Sequence, residues 1–237
     1  MQVIGLIGYV DKYDFVLNLA KTINMMDRAV LVVDGTIDKK MKYIVPALDN
    51  LGNSYITQYN NIDFAVGFDS LHDIENYMCE QSINIGLYDY ILIDIDSAKT
   101  YEFFRNRGFD KMYFFIDTGV LSVNKNKEIM KAIKVYNQSE TKLELTKVTY
   151  KAYLSRAAED YINTQIGEYE ITWKEREYEI PNEEQDKMVN IDSQFSGIIN
   201  LRRHTKIFVS TIADMTSEIL EDVTSKEVRN EIKRRKD

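Results

Sequence analysis

The chain has 237 residues, of which 44% are hydrophobic and 29% charged, the balance of an ordinary globular protein. This composition excludes a disordered chain, which could not bury enough apolar surface to offset its conformational entropy. With 30 Lys and Arg against 38 Asp and Glu, the net charge of −8 argues against a protein whose whole surface binds nucleic acid. One Cys and two His exclude an intramolecular disulfide and argue against a Cys- or His-rich metal centre.

No apolar run approaches the length of about 18–20 residues that crosses a bilayer. The first eight residues lack the basic start and the small-residue cleavage site of a signal peptide. They are typical instead of a buried strand. We therefore expect a cytoplasmic protein without an integral membrane segment.

Short apolar runs without strict alternation predict four buried parallel strands, at residues 3–7, 29–33, 90–93 and 112–116. Apolar residues at helical spacing predict a helix over 14–23, with Asp14 as its N-cap, and another over 123–136. Repeated strand–helix–strand units predict an α/β fold. Its sheet is doubly wound and mostly parallel, with helices on both faces.

Later segments are predicted as a strand near 143–145 and helices over 149–165 and 204–222. Trp173, in a predicted strand over 170–179, is expected in the core. The chain has two prolines and no Gly/Ser linker, so we expect one domain over 1–222. Residues 223–237 mix both charge signs and are expected to form a solvated tail.

Acidic residues follow three of the predicted strands: Asp34 after the second, Asp94 and Asp96 after the third, and Asp117 after the fourth. In open α/β sheets, ligands bind at the carboxyl ends of the strands. Acidic groups at that edge suit Mg²⁺ or a phosphoryl-transfer site. The alternative is that each Asp only ends a strand and caps the next helix.

The loop after the first strand carries the most specific pattern. It reads I-G-Y-V-D-K-Y-D over 7–14, followed by N-L-A over 18–20. This resembles the first loop of the MinD/ParA superfamily of deviant Walker A P-loop ATPases, whose pattern is K-G-G-V-G-K-T-T-x-x-x-N-L-A. Gly8, Val10 and Lys12 fall on matching positions.

Later segments resemble the same family in the right order, loosely over 36–87 and 149–178. The strand ending at Asp34 is similar to the second strand of the family, and residues 88–94 are similar to its Walker B strand, with Asp94 nearest the metal. The resemblance implies ATP or ADP with Mg²⁺ as ligand and a nucleotide site formed by Gly8, Val10, Asp11, Lys12, Tyr13, Asp14, Asp34, Asp94 and Pro181. It implies Asp94 as the metal ligand.

The catalytic pattern is damaged at several positions. The signature Lys is replaced by Ile7, two glycines by Tyr9 and Asp11, the Mg²⁺-binding Thr by Tyr13, the next Thr by Asp14, the water-orienting Asp by Thr36, and the base-binding Asn by Thr146. Loss of one group that stabilises transition-state charge commonly costs about 2.7–4 kcal/mol. The sequence therefore predicts an impaired or inactive ATPase with no assigned catalytic residue, and tyrosine rings filling the nucleotide pocket.

The nearest functional analogy is the atypical TadZ/CpaE branch, which serves pilus and secretion assembly. It implies a homodimeric scaffold or positioning protein with a protein partner in a larger assembly. One alternative is an active ATPase for plasmid or cargo partition, in which Arg202 and Arg203 of the basic stretch 202–206 contact DNA phosphates. Others are a structural partner without any ligand, and a response-regulator receiver, which residues 88–94 also resemble.

Overall fold

A computed structural model describes residues 1–45, 53–137, 144–150, 155–167 and 171–235. The strands are β1 (Gln2–Ile7), β2 (Val30–Gly35), β3 (Tyr55–Tyr59), β4 (Ile62–Val66), β5 (Tyr90–Ile95), β6 (Lys111–Ile116), β7 (Glu144–Tyr150), β8 (Thr172–Trp173) and β9 (Tyr178–Ile180). The helices are α1 (Tyr13–Met25), α2 (Leu71–Glu80), α3 (Ala98–Phe104), α4 (Val120–Tyr136), α5 (Arg156–Gly167), α6 (Glu184–Ser196), α7 (Lys206–Leu220) and α8 (Ser225–Arg234).

The nine strands form one sheet in the order β3-β4-β2-β5-β1-β6-β7-β8, with β9 also paired to β7. The strand pairs are parallel except for the antiparallel edge hairpin of β3 and β4. The predicted doubly wound, mostly parallel α/β fold is confirmed. β1 lies between β5 and β6, whereas a receiver would place it beside β2, so the receiver alternative is wrong.

Helices cover both faces of the sheet and create two hydrophobic cores. One core lies under α1, α7 and α8, and the other lies under α2, α3, α4 and α5. The central strands β2 and β5 are buried along their whole length. This explains why their sequences are apolar without alternation. In the described ranges, no helix has the length and apolar character that crossing a membrane requires.

Two predicted helix boundaries differ from the structure. The predicted helix over 149–165 begins too early, because Val148–Tyr150 pairs with β9 and prolongs β7. The helix α5 begins only at Arg156, and residues 151–154 lie outside the described ranges. At the other boundary, α1 begins at Tyr13 with Lys12 as its N-cap, so Asp14 lies in the first turn and is not the cap.

The predicted solvated tail also differs from the structure, because residues 225–234 form α8. Thr224 and Glu227 form a capping box that satisfies two backbone N–H groups at the start of this helix. Val228 and Ile232, one turn apart, are buried in the core that α8 shares with α7 and α1. These two apolar residues dock α8 onto α7 and α1.

Candidate functional site

The candidate site lies at the carboxyl edge of the central strands, on the face covered by α1. The strand register places Asp34 of β2 beside Asp94 of β5, and Asp94 beside Leu6 of β1. Leu6 belongs to the core under α1, so the two carboxylates share that face. The chain between β1 and α1, residues 8–12, crosses the same edge. Strand pairing thus brings the two acids and the first loop together.

Lys12 is buried in this edge, with 1% of its surface exposed. Its Nζ lies 2.6 Å from Asp94 Oδ1 and donates to the carbonyl oxygens of Gly8 at 2.8 Å and Ile95 at 3.1 Å. The two carbonyl oxygens use two of the three N–H donors of the ammonium, and the Asp94 carboxylate forms an ion pair with it. The Phe115 ring, with its centroid 5.9 Å from Nζ, closes another side. The ammonium therefore faces protein atoms.

Backbone contacts fix the start of the loop. Gly8 has a φ of +143°, and a Cβ at this position would overlap the carbonyl oxygen of Phe115. A side chain is therefore excluded here by both backbone conformation and space. The Gly8 N–H donates to the Ile95 carbonyl at 2.9 Å, and the Val10 N–H donates to the Gly8 carbonyl at 3.0 Å. These two amides bond within the protein. The Val10 side chain is half-buried against the α1 core.

The middle of the loop is tied to α4. The Tyr9 N–H donates to Asn126 Oδ1 at 2.7 Å, and Ser122 Oγ donates to the Tyr9 carbonyl at 2.6 Å. The Asn126 amide in turn donates to the Phe115 carbonyl at 3.2 Å. Asn126 and Ser122 are both buried. They belong to the site, although the sequence analysis did not select them.

Asp34 is buried and fully used by its own loop. Its Oδ1 accepts from the Thr36 hydroxyl at 2.6 Å and from the Thr36 N–H at 3.2 Å, and its Oδ2 accepts from the Met41 N–H at 2.8 Å. Burial raises the pKa of Asp34 to about 6; the Thr36 contact opposes this rise and the nearby Asp94 carboxylate adds to it. Asp34 thus shapes the loop after β2, although it is not the N-cap of the short 3-10 turn that follows, which is Lys39.

A second lysine, Lys40, lies near two further acidic side chains at this edge, Asp11 and Asp96. Lys40 Nζ lies 3.4 Å from Asp11 Oδ1 and 3.9 Å from Asp96 Oδ2. Burial lowers the pKa of Lys40, but Asp11, Asp96 and Asp94 outweigh that effect and raise it. Asp96 also accepts from the Ile37 N–H at 3.0 Å. Asp11, which replaces a family glycine, thus pairs with a lysine from the loop after β2.

Tyrosine rings and an α6 side chain occupy the space beside α1. Tyr13 is half-buried against the core, and Gln194 of α6 donates to its hydroxyl at 3.4 Å and to Asp14 Oδ1 at 2.9 Å. Burial raises the pKa of Asp14. Tyr150, at the end of β7, packs with its centroid 6.5 Å from that of Phe115. Burial first, and then the carboxylates of this edge, raise its phenol pKa well above the usual value.

The expected base-binding positions lie further along the sheet. Thr146, assigned to the end of its strand, lies four residues before the end of β7. The pairing of Val148–Tyr150 with β9 lengthens the strand and places Tyr150 at the sheet edge instead. Pro181 follows β9 directly and precedes α6. No contact in the described residues joins it to the first loop.

In this arrangement the Lys12 ammonium is turned into the protein, so it does not fit a phosphate group without moving. The amides of Gly8, Tyr9 and Val10 are bonded within the protein, and Asp11 adds an exposed carboxylate to the same loop. Asp94 Oδ1 forms an ion pair with Lys12 and is otherwise buried without a hydrogen-bond donor among the described residues. Across the described ranges, no three His, Cys, Asp or Glu side chains are grouped to hold a metal.

Comparison of the fold with solved structures finds relatives that share nearly the whole architecture. MinD in the MinC:MinD cell division complex of Aquifex aeolicus superposes with a TM-score of 0.62 at 14% identity, covering 94% of this chain and 97% of that chain. A ParA family ATPase from Chlorobium tepidum superposes with a TM-score of 0.55 at 18% identity, covering 91% and 98%. The chain has the fold of the MinD/ParA ATPases.

A third structure with the MinD/ParA fold carries a nucleotide analogue. It is a plasmid partition protein from Borrelia burgdorferi bound to AMPPNP, with a TM-score of 0.55 at 12% identity, covering 94% of this chain and 99% of that chain. No protein-family model and no curated protein sequence matches this chain. At these identities the likeness establishes the fold alone.

Proposed function

We propose that this protein is a scaffold or positioning factor that uses the MinD/ParA fold without hydrolysing ATP. The observation that supports the proposal most directly is the internal pairing of Lys12 with Asp94 and two carbonyl oxygens. In a working P-loop, a lysine neutralises phosphate charge and backbone amides surround the phosphates. Here the lysine and the amides of Gly8, Tyr9 and Val10 bond to protein atoms instead.

Electrostatics makes this pairing difficult to exchange for a nucleotide. If Lys12 turned toward a phosphate, the buried Asp94 carboxylate would lose its ion-pair partner. A buried charge without a partner costs about 3–5 kcal/mol. The Asp11 carboxylate would add repulsion at the same edge, although Lys40 offsets part of its charge.

The biological role that we propose is the recruitment of a protein assembly. One solved relative forms a complex with the protein MinC, and another is a plasmid partition protein. By analogy with the atypical branch of the family, we propose a homodimer that positions a larger machine, such as a pilus or secretion apparatus. In this proposal the fold is a rigid body, and partner proteins bind to its outer surfaces.

The test is an ATP turnover assay of the purified protein with Mg²⁺, alongside the Lys12→Ala variant. We expect no turnover above that of the variant. Mg²⁺-dependent hydrolysis that Lys12→Ala abolishes would overturn the proposal in favour of a partition ATPase. That outcome would be followed by DNA binding at low salt with Arg202 and Arg203 replaced.

A further inference from the structure

The helix α6 (Glu184–Ser196) turns a mainly polar face inward and an apolar face outward. Its two buried residues are Asp186 and Val189. Its exposed apolar residues are Met188, Ile191 and Phe195, and Phe195 is 89% exposed. Ile198, just beyond the helix end at Gly197, continues the row and is 49% exposed. A surface helix that needs no partner places these residues the other way round.

Polar contacts attach α6 to the rest of the fold near its start and at its middle. Near its start, Asp186 accepts from the Thr205 N–H at 2.7 Å and the Thr205 hydroxyl at 2.8 Å, and contacts His204 Nδ1 at 3.1 Å. Further along, Asn190 accepts from Asn18 of α1 at 3.1 Å. The apolar row is therefore displayed on an anchored helix.

The spacing of the row is that of a coiled-coil seam. Met188, Ile191 and Phe195 are separated by three and four residues, as successive a, d and a positions are, and Ile198 follows the left-handed Gly197 outside the helix. Lys187 then takes the g position before the first a residue, and Asp192 takes the e position after the first d residue. In a parallel helix pair, each g residue faces the e residue five positions later on the other helix.

We propose that a second copy of this chain packs its α6 in parallel against this one, as a twofold-symmetric pair. Met188, Ile191 and Phe195 would each face their own counterpart. Lys187 of each copy would face Asp192 of the other, giving two matched ion pairs. Asp192 is half-exposed, which fits a position at the rim of the seam. It already pairs with Arg203 of its own chain at 2.7 Å, so Lys187 of the other copy would join this pair. An antiparallel pair would instead bring the two Asp192 carboxylates together.

Charge favours a second copy over a lipid surface. Besides Lys187, the exposed side chains at the start of the helix include the acidic Glu183 and Glu184. Helices that lie on anionic membranes carry Lys and Arg along their polar face. This helix would be repelled by such a membrane, whereas its own copy matches it in both apolar spacing and charge.

The inference rests on the homodimer of the proposed function and names its surface, but it requires no nucleotide. The first experiment is sedimentation of the full chain across the micromolar range without nucleotide. We expect a reversible dimer, and Phe195→Glu and Lys187→Glu should each weaken it by about tenfold or more, equivalent to 1.4 kcal/mol. Leu87→Glu, at an exposed apolar site of another surface, and Lys233→Glu on α8 serve as matched controls.

Because the substituted side chains are exposed, we expect each variant to fold. Thermal unfolding and circular dichroism check this. A monomer at all concentrations would overturn the inference, and so would a dimer unaffected by Phe195→Glu. ATP turnover is measured separately, so a failure of this surface and a failure of the proposed function give different results. Binding of the monomer to anionic vesicles would also contradict the inference.

Single cysteines test the parallel arrangement in a Cys79→Ser background, because Cys79 is exposed. A parallel pair places each position opposite itself, so Met188→Cys and Phe195→Cys should each form a disulfide-linked dimer alone. Leu87→Cys should not. If disulfides formed only when the Met188→Cys and Phe195→Cys proteins were mixed, the helices would be antiparallel and the proposed pairing wrong.

Discussion

At the scale of single residues, the contacts of Lys12 differ from those expected of a P-loop lysine. The side chain occupies the position of the P-loop lysine in sequence, yet its ammonium is buried against Asp94, Gly8 and Ile95. Burying an ion pair is favourable only when geometry and hydrogen bonds satisfy both partners. Here two carbonyl oxygens accept from the ammonium, while Asp94 Oδ1 has the ion pair and no hydrogen-bond donor among the described residues, so its stability depends on Lys12.

We predict that Lys12→Met lowers the free energy of unfolding by about 3–5 kcal/mol, because Asp94 remains buried and charged without its partner. Lys12→Met combined with Asp94→Leu should recover most of the loss. The Gly8 and Ile95 carbonyls keep other donors, the N–H groups of Val10 and Gly8. Urea unfolding measures all three proteins.

Lys40→Met is the matched control, because Lys40 is half-buried, its nearer partner Asp11 is exposed, and the buried Asp96 keeps the Ile37 N–H as a donor. Its cost should stay within about 1 kcal/mol. An equally small cost for Lys12→Met would contradict the assignment of Lys12 to a structural pair and would favour a lysine free to meet phosphate.

Asp34 should make the free energy of unfolding fall as pH rises, whereas a carboxylate held in an ion pair makes it rise. Its pKa of about 6 in the fold, above the ordinary 3.8, means that the folded state binds more protons between these values. The free energy of unfolding then falls as pH rises through this window, by about 2–3 kcal/mol from this group. Asp34→Asn removes the effect.

The measurement is chemical denaturation of both proteins from about pH 4 to about pH 7, the window set by the two pKa values. The stability of Asp34→Asn relative to the natural protein should rise across it. The raised pKa values of Asp14 and Asp96 act in both proteins and cancel in this difference. Parallel stability curves would show that Asp34 is ionised throughout.

At the scale of elements, α8 belongs to the fold. We predict that Ile232→Ala lowers the free energy of unfolding by about 2–4 kcal/mol, because it leaves a cavity in the core shared with α1 and α7. Thr224→Ala should cost about 1 kcal/mol through loss of the cap. Lys233→Ala, on the exposed side of the helix, should change little. If all three variants were equally stable, α8 would contribute nothing to folding.

The elements best predicted from sequence are those whose pattern arises from burial on both faces. The apolar runs of β1, β2, β5 and β6 need no context to be recognised. The hairpin of β3 and β4 and the helix α6 were missed. The inward face of α6 carries Asp186, Asn190 and Ser193 beside the single apolar residue Val189, so the apolar periodicity of the helix points away from the core.

The candidate site was predictable in its location and not in its contacts. Strand-end acids predict the edge where Asp34 and Asp94 meet, since parallel strands end together. The sequence cannot show that Lys12 turns inward, because that depends on Ile95 and Phe115 from distant strands. One signal was present: Ser122 and Asn126 interrupt the apolar face of α4, which marks buried polar residues that need partners.

At the scale of the whole molecule, the chain shares the fold of MinD and ParA while Lys12 and the amides of Gly8, Tyr9 and Val10 are bonded within the protein. Sheet order and two-sided helix cover depend on many apolar residues, so the fold tolerates change at a few loop positions. The site depends on a handful of polar contacts. Under the function proposed above, this separation lets a fold of ATPases serve as a scaffold.

The most direct test is thermal unfolding of the full chain with and without millimolar Mg-ATP and Mg-ADP. A ligand at 100 times its Kd would stabilise the fold by about 2.7 kcal/mol, which is a shift of several degrees for a domain of this size. We predict no shift with either nucleotide. A clear shift that Lys12→Ala abolishes would contradict the account, because it would show that Lys12 leaves Asp94 to bind phosphate.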